Sequence, residues 1–432
     1  MPIVLAVAMI AIVPCAVALV IAGARAPERV VLPIYAAAAP FGSGAALPLG
    51  LPREFTSVSS LLLLILLLGL VVQLTVYGSG AQRPALPTPA WLAMLALLIA
   101  GAAWSVDSST TLQALPIVAS LIVLYALLAQ RQVSPDTVRL VGNGALLGGV
   151  AAACYGIYGA ATGTLQAADT TSPRFGSDLL GANHTAAALM LPFALALWRY
   201  IDAPTTRTRL LYLPLVGLLV AAIALTGSRG GIVALGATYV TVAMHGPRRA
   251  RALTGGAVLG AAILAASLYS SAGIGARETA SSSGRLDIWR IGLAACPDYC
   301  LQGSGWGTFP EVYETYAPSV TSAKVLRRGT SFESHNVTLQ LLVETGLVGL
   351  LLFLLGVALA LRQAWRIPRS LRGPPFGALV GLLVTSCFLS NFEFKYFWLV
   401  LTYSTLCALS APPRDRHIGS TLRSSASPVA LR

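Results

Sequence analysis

A histidine beside a long apolar stretch is the residue of this chain best suited to proton transfer. His335 lies in the sequence ESHN (333–336), and an apolar segment follows it directly. A neutral imidazole in contact with water can take a proton from an attacking hydroxyl group. Because the polar segment 272–334 precedes it, His335 is predicted to lie where a folded loop meets the mouth of a helix. A histidine that merely caps this helix is the alternative interpretation.

Arginine side chains are the second chemical feature. Arg229 lies in the sequence TGSRGG, Arg285 in SGRLDIW and Arg174 in PRFG. Two or more guanidinium groups can hold a diphosphate and stabilise the charge that develops as it leaves. Taken singly, Arg229 is equally typical of an arginine reaching lipid headgroups, and Arg285 of a surface ion pair. Asn183 and Asn336 are predicted to bind substrate beside the arginines.

Signatures of metal or nucleotide chemistry are absent from the sequence. It contains no Asp-x-Asp pair for a divalent cation, and neither Lys324 nor Lys395 lies in a phosphate-binding loop. We therefore expect no metal and no cofactor. Glu344 comes nine residues after His335, about 13 Å along a continuous helix. At that depth it is predicted to be structural and to face the interior of the bundle.

The composition is that of a membrane protein. Of 432 residues, 56% are hydrophobic and only 10% are charged, and the mean hydropathy is +0.75. Apolar segments long enough to cross a bilayer recur along the chain, which predicts an all-α polytopic fold with about twelve transmembrane helices. Segment 30–50 is left open between a short further span and a broken interfacial piece, because several prolines interrupt it.

Basic residues are distributed unevenly between the predicted loops. The net charge is +13, and the short loops with Arg131, Arg199, Arg248 and Arg369 fall on one side of the predicted membrane. This bias is typical of the cytoplasmic side, so it accounts for the charge without a nucleic-acid partner. The long polar loop falls on the opposite, external side.

These assignments divide the chain into four parts. Residues 1–271 are predicted to hold transmembrane helices 1–10, and residues 272–334 an external cap loop. Residues 335–411 are predicted to hold transmembrane helices 11–12, with the histidine at their mouth, and residues 412–432 a cytoplasmic basic tail.

The cap is predicted to be folded. It has six basic and six acidic residues, so it is neutral overall. A helix is predicted over Leu286–Ala295, and a glycine-rich turn at 303–309 indicates that the backbone passes close to another element. Cys296 and Cys300 are close enough in sequence for a disulfide in an oxidising compartment.

Together these motifs resemble the O-antigen ligase/polymerase superfamily. The resemblance extends from about Arg174 to Leu361. It is carried by His335-Asn336 with Leu339, Glu344, Gly346 and Gly349, by Ser228-Arg229-Gly230, by Gly284-Arg285 with Ile288-Trp289, and by the glycine-rich turn. Each motif alone is weak evidence for the resemblance, but all of them occur in order and on one predicted membrane face.

The resemblance implies an inverting, metal-independent glycosyltransferase of the polytopic GT-C type. It implies the inner membrane of a Gram-negative bacterium, with the active site facing the periplasm. The donor would be a glycan polymer (O-antigen) on undecaprenyl diphosphate, and the acceptor a sugar hydroxyl of lipid A–core. The family's essential residues carry over to Arg229, Arg285 and His335.

Several functions within and outside this superfamily stay open. A single large loop favours an O-antigen ligase over an O-antigen or exopolysaccharide polymerase, and the short tail disfavours a protein O-oligosaccharyltransferase. A lipid-linked glycan transporter is the alternative from another class. Transporters place charged groups near the membrane midplane, where this chain is almost uncharged. Surrounding membrane lipids are further expected partners, and the oligomeric state is left open.

Overall fold

A computed structural model of the chain describes residues 21–42, 53–76, 84–162, 180–246, 256, 260, 285–320 and 332–411. The regular elements in these ranges are helices. In chain order the longer ones are α1 (Pro27–Ala38), α2 (Val58–Val76), α3 (Thr88–Gly101), α4 (Ser108–Leu128), α5 (Pro135–Thr162), α6 (Ala182–Ala188), α7 (Met190–Asp202), α8 (Thr206–Leu225), α9 (Arg229–His245), α10 (Arg285–Ala294), α11 (Phe309–Tyr316), α12 (Val337–Trp365), α13 (Arg369–Ser386) and α14 (Lys395–Ser410).

Five described helices are long and apolar enough to cross a membrane, namely α2, α4, α5, α8 and α12. The chain is therefore all-helical where it is described and has the helices of a polytopic membrane protein. Twelve spans stay a prediction, because other apolar segments form shorter helices or lie outside the described residues. With 12 residues, α1 extends only about 18 Å, too short to cross a bilayer alone.

Residues 335–411, predicted to hold two transmembrane helices, form three helices in the structure. The loop 387–394 separates α13 from α14. An aromatic cluster fixes this loop, because Phe392 packs against Trp91 of α3, Trp306 of the cap and Trp398 of α14. The indole of Trp398 also donates a hydrogen bond to the Phe392 carbonyl, at 2.7 Å.

The helix α7 lies at the centre of the bundle. Most of its side chains are buried, and it packs against α5, α8, α9 and α13. A one-residue break at Leu189 separates α7 from α6. Pro192 accounts for this break, because it lacks the N–H that would bond to the Ala188 carbonyl.

The cap has its own small hydrophobic core. Ile288 and Ile291 of α10 pack with Phe309 and Val312 of α11. The helix predicted over Leu286–Ala295 is present as Arg285–Ala294, and Cys296 is disulfide-bonded to Cys300. Leu339 and Val343, from the first turns of α12, belong to the same core. The first part of α12 is therefore integrated into the cap.

The glycine-rich turn crosses the backbone of α12 at a break in that helix. Gly346 has φ 69° and ψ −173°, and the helix continues on either side of it. The Ser304 N–H donates to the Val343 carbonyl and the Gly305 N–H to the Glu344 carbonyl, each at 2.9 Å. A Cβ atom on Gly303 would lie 2.5 Å from the Glu344 carbonyl oxygen. The close backbone approach predicted for this turn is therefore confirmed.

Glu344 joins the two elements at this crossing. Its carboxylate accepts a hydrogen bond from the Phe309 N–H at 3.0 Å, and its side chain is 2% exposed. The structural role predicted for Glu344 agrees with these contacts. Its partners include the backbone of the cap, which the sequence did not indicate.

Candidate active site

His335 is held in an unusual conformation at the start of α12. Its φ angle is 49°, in the left-handed region that residues other than glycine rarely adopt. Ser334, on one side, is buried and its hydroxyl bonds with that of Ser390 at 2.9 Å. The Ser334 carbonyl accepts from the Trp289 indole at 3.0 Å. The backbone that carries His335 is thus anchored both to the cap and to the loop 387–394.

Asn336, on the other side of His335, is the N-cap of α12. Its side-chain oxygen accepts from the Leu339 N–H at 3.0 Å, and its amide group donates to the Cys387 carbonyl at 3.2 Å. These contacts satisfy one of the open N–H groups at the helix start and tie it to the end of α13. They give Asn336 a structural role, and the binding of substrate by Asn336 stays a prediction.

The imidazole of His335 is partly buried and has an unused polar atom. Its Nδ1 is buried without a hydrogen-bond partner among the described residues. Burial, and then the positive charge of Arg285, lower the pKa of His335 to about 4. The ring is therefore neutral near pH 7 and has a lone pair available, which is the form that a general base requires.

Arg285 begins α10 and faces a narrow crevice at the same end of the bundle. The residues that line the crevice include Arg285, Asn183 and Thr385, and also Ser228, Gly230 and Gly231 but not Arg229. Arg285 is half-buried, and burial lowers the pKa of its guanidinium group from the ordinary value. An arginine stays protonated under such conditions, so it places a fixed positive charge beside His335.

Arg229 is the first residue of α9 and its side chain is exposed. Ser228 caps the helix by accepting from the Gly231 N–H at 3.1 Å. A Cβ atom on Gly231 would lie 2.7 Å from that of Ala186, so the glycine allows α9 to approach α6 closely. The turn that carries Arg229 thus borders the crevice that holds Arg285 and Asn183. Arg174 lies outside the described residues.

A second histidine, not selected from the sequence as a site residue, joins this group. His184 of α6 interacts electrostatically with both His335 and Arg285. Its Nδ1 lies 2.9 Å from the Tyr396 hydroxyl, and its ring stacks on Phe394 with 4.0 Å between the centroids. Its position next to Asn183 was the only sequence signal. The contacts with Tyr396 and Phe394 join segments that are far apart in the chain.

Two carboxyl groups lie near the histidines. Burial, and then the charge of Glu333, raise the pKa of Glu393 to about 7. Glu333 is two residues before His335, and Glu393 is three residues before Tyr396. The site therefore combines permanent cations with neutral imidazoles and a carboxyl group that is only partly ionised near pH 7. Such a site can bind an anionic group and accept a proton next to it.

The helices and the site define a polytopic membrane protein with a polar, cation-bearing site at the end of its bundle that a small cap covers. Residues 214–354 match the family described as O-antigen ligase. This range contains Arg229, Arg285 and His335, and the match supports the resemblance to the O-antigen ligase/polymerase superfamily that the motifs indicated. No curated protein matches the chain.

Proposed function

We propose that this protein is an O-antigen ligase. It transfers a glycan polymer from undecaprenyl diphosphate to a sugar hydroxyl of lipid A–core, with inversion and without a metal ion. The observation that carries the proposal is the buried, unpartnered Nδ1 of His335 beside the guanidinium group of Arg285. A base and a cation side by side suit an attacking hydroxyl and a departing diphosphate, respectively.

In the proposed reaction Arg285 and Arg229 hold the diphosphate, with Arg174 as a further candidate contact and Asn183 beside them. His335 takes the proton from the acceptor hydroxyl as its oxygen attacks the anomeric carbon. The bond from that carbon to the diphosphate oxygen breaks, and undecaprenyl diphosphate leaves with the electron pair. Attack from the face opposite the leaving group inverts the anomeric configuration. The fixed guanidinium charges stabilise the leaving group without reorganisation.

The proposed setting is the inner membrane, with the site on the periplasmic side. The fold type is proposed to be GT-C. A polymerase of the same superfamily would use the same donor site, with a second lipid-linked glycan as acceptor. A ligase is preferred because the sequence has a single large loop, and Trp289 of this cap contacts the Ser334 carbonyl next to His335.

The test uses purified protein with glycan-bearing undecaprenyl diphosphate, lipid A–core and excess EDTA. Wild-type protein should place the glycan on lipid A–core. His335→Ala should lower kcat by at least 100-fold, the lower range for loss of a general base. Lengthening of the glycan on its own carrier would instead identify a polymerase. No covalent product from folded wild-type protein would favour a transporter.

Arginine variants supply the matched control for that experiment. Arg285→Lys should reduce transfer, because an ammonium group cannot make the planar two-point contact of a guanidinium group. Arg290 lies on the same helix, is exposed and pairs with Asp287 at 3.3 Å. Arg290→Lys should therefore leave transfer unchanged. Equal losses in the two variants would show that Arg285 acts on the cap rather than on the donor.

A further inference from the structure

The histidine of α6 is a titratable group that the proposed reaction does not use. His184 interacts electrostatically with both His335 and Arg285. Its neighbour in the chain, Asn183, lines the same crevice as Arg285. His184 is therefore a further polar group at the candidate site, beside the proposed base and the cation.

The imidazole ring of His184 is fixed both in its plane and in its rotation. It stacks on Phe394, with 4.0 Å between the ring centroids and 16° between the ring planes. Its Nδ1 lies 2.9 Å from the Tyr396 hydroxyl oxygen. Because the two nitrogen atoms of an imidazole point away from each other, Nε2 is directed away from Tyr396.

The surroundings of Tyr396 determine which nitrogen atom of His184 carries the proton. Asn391 interacts with the Tyr396 hydroxyl, and its side-chain oxygen accepts from the Ser386 hydroxyl at 2.9 Å. This leaves the amide nitrogen of Asn391, which can only donate, for the Tyr396 oxygen. The Tyr396 hydroxyl then donates its own hydrogen atom to Nδ1 of His184. A neutral imidazole that accepts at Nδ1 carries its proton at Nε2.

The Nε2–H group of His184 is thus a neutral hydrogen-bond donor at the site. The ring is neutral because a second positive charge next to the Arg285 guanidinium group is unfavourable. Among the described residues, the side chain of His184 makes its hydrogen bond with Tyr396, through Nδ1. An anion bound by Arg285 would supply the acceptor that suits Nε2–H.

We propose that His184 is a further diphosphate-binding residue, and that its Nε2–H donates a hydrogen bond to a diphosphate oxygen atom. The inference rests on the proposed function. Tyr396 is then a positioning residue, because it sets the orientation and the tautomer of His184 without touching the substrate. A neutral donor also suits the general base, because a second cation would disfavour the protonated form that His335 must reach.

Two amide side chains distinguish this role from a structural one. Glutamine places an N–H donor near the position of Nε2, whereas asparagine places its polar atoms near the position of Nδ1, next to Tyr396. His184→Ala should lower kcat/KM for glycan-bearing undecaprenyl diphosphate about tenfold, the lower range for a lost hydrogen bond to a charged group. His184→Gln should restore most of this loss and His184→Asn little of it. An asparagine variant at least as active as the glutamine variant would overturn the inference.

His245 provides the matched control, because it is also a histidine packed against aromatic rings. It contacts Trp365 and Phe376, and its Nδ1 lies 2.7 Å from the Thr241 carbonyl oxygen, at the far end of α9 from Arg229. His245→Ala should leave kcat/KM unchanged. Equal losses in the two alanine variants would trace the effect to packing and overturn the inference.

The second test measures the binding of inorganic diphosphate to the full protein in detergent at low and high salt. Arg285→Gln should weaken binding and reduce its salt dependence, because it removes a charge. His184→Ala should weaken binding about tenfold but keep the salt dependence of the wild-type protein, because it removes a neutral donor. An unchanged affinity in His184→Ala, or a salt dependence reduced as in Arg285→Gln, would overturn the inference.

The third test concerns the positioning role of Tyr396. Tyr396→Phe should lower kcat/KM about threefold in the wild-type protein and have no further effect in His184→Ala, because coupled residues are not additive. The full threefold loss in both backgrounds would show that Tyr396 acts independently of His184 and would overturn its assigned role.

The proposed function and the role of His184 fail in different ways. Wild-type protein that neither binds inorganic diphosphate nor transfers glycan would contradict the proposed function itself. Wild-type protein that does both, while His184→Ala binds and reacts normally, would contradict only the role of His184.

Discussion

His335 is fixed before any substrate arrives. Its left-handed backbone conformation costs on the order of 1–3 kcal/mol, and the structure sustains it through the bonds of Ser334, Asn336 and Trp289. A histidine anchored on both sides keeps its ring in one orientation, so a single lone pair can face an acceptor hydroxyl. This is the preorganisation that a general base needs if it is to act without reorganising the site.

The pH dependence of transfer should reveal the lowered pKa of His335. A general base must be neutral, and the pKa of about 4 keeps His335 neutral as the pH falls well below the ordinary histidine value of 6.5. We therefore expect kcat/KM for the acceptor to show no decline attributable to His335 between pH 7 and 5, and to fall as the pH approaches 4.

The ionisation of Glu393 must be distinguished from that of His335 in the pH profile, because the pKa of Glu393 is about 7. A Glu393→Gln variant removes that ionisation, so its profile should contain only the limb from His335. A limb near pH 6.5 in the Glu393→Gln variant would show that His335 titrates normally and would contradict the buried environment described for it.

The sequence predicted the site residues that occur in local motifs. His335 and Arg285 could be selected because each lies in a distinctive polar sequence next to a predicted helix. His184 and Tyr396 could not be paired, because they are 212 positions apart and only the packing of α6 against α14 brings them together. No role could be assigned to Lys395 from the sequence, beyond the fact that it does not lie in a phosphate-binding loop. Its serine partners lie more than 330 positions away.

At the scale of elements, the break in α12 matters most for the site. Hydropathy alone predicts one uninterrupted helix here. The break lies two residues beyond Glu344, so it leaves the helical separation of Glu344 from His335 unchanged. The break at Gly346 instead lets the first turns of α12 pack with α10 and α11, while the remainder packs with α3, α13 and α14. One helix, α12, which begins next to His335, therefore contacts both the cap and the bundle.

Gly346→Ala should destabilise the protein. The φ and ψ angles of Gly346 belong to a region that is accessible essentially only to glycine, and a Cβ atom there would lie 2.4 Å from the Leu301 carbonyl oxygen. We expect the free energy of unfolding to fall by about 3 kcal/mol, the upper range for backbone strain of this kind. Thermal unfolding in detergent measures the change.

Gly217→Ala is the matched control for that substitution. Gly217 lies inside α8, has no heavy atom of another described residue within 4 Å of a Cβ position, and has an ordinary helical conformation. Alanine there should be neutral or stabilising by up to about 1 kcal/mol. Similar melting temperatures for Gly346→Ala and wild type would mean that the break in α12 is dispensable.

At the scale of the whole molecule, the described helix ends fall into two groups. At one end lie the cap, the loop 387–394 and the starts of α6 and α9. At the other end the Arg369 side chain donates to the Met244 carbonyl at 3.3 Å, and the Leu86 N–H donates to the Gln363 side chain at 3.1 Å. The candidate site is thus confined to one end of the bundle, as an enzyme acting at one membrane surface requires. A transporter would need a pathway through the middle.

The proposed orientation places the cap outside and the arginine-rich end in the cytoplasm. Leu301 in the cap is 77% exposed, and Leu371, near the start of α13 at the opposite end, is 51% exposed. In a chain whose free thiols are replaced by serine, Leu301→Cys should react with a membrane-impermeant maleimide added to spheroplasts, whereas Leu371→Cys should react only after lysis. The native disulfide does not interfere, because maleimide reacts with thiols. The reversed pattern would place His335 on the cytoplasmic side, away from any periplasmic acceptor, and the ligase proposal would fail with it.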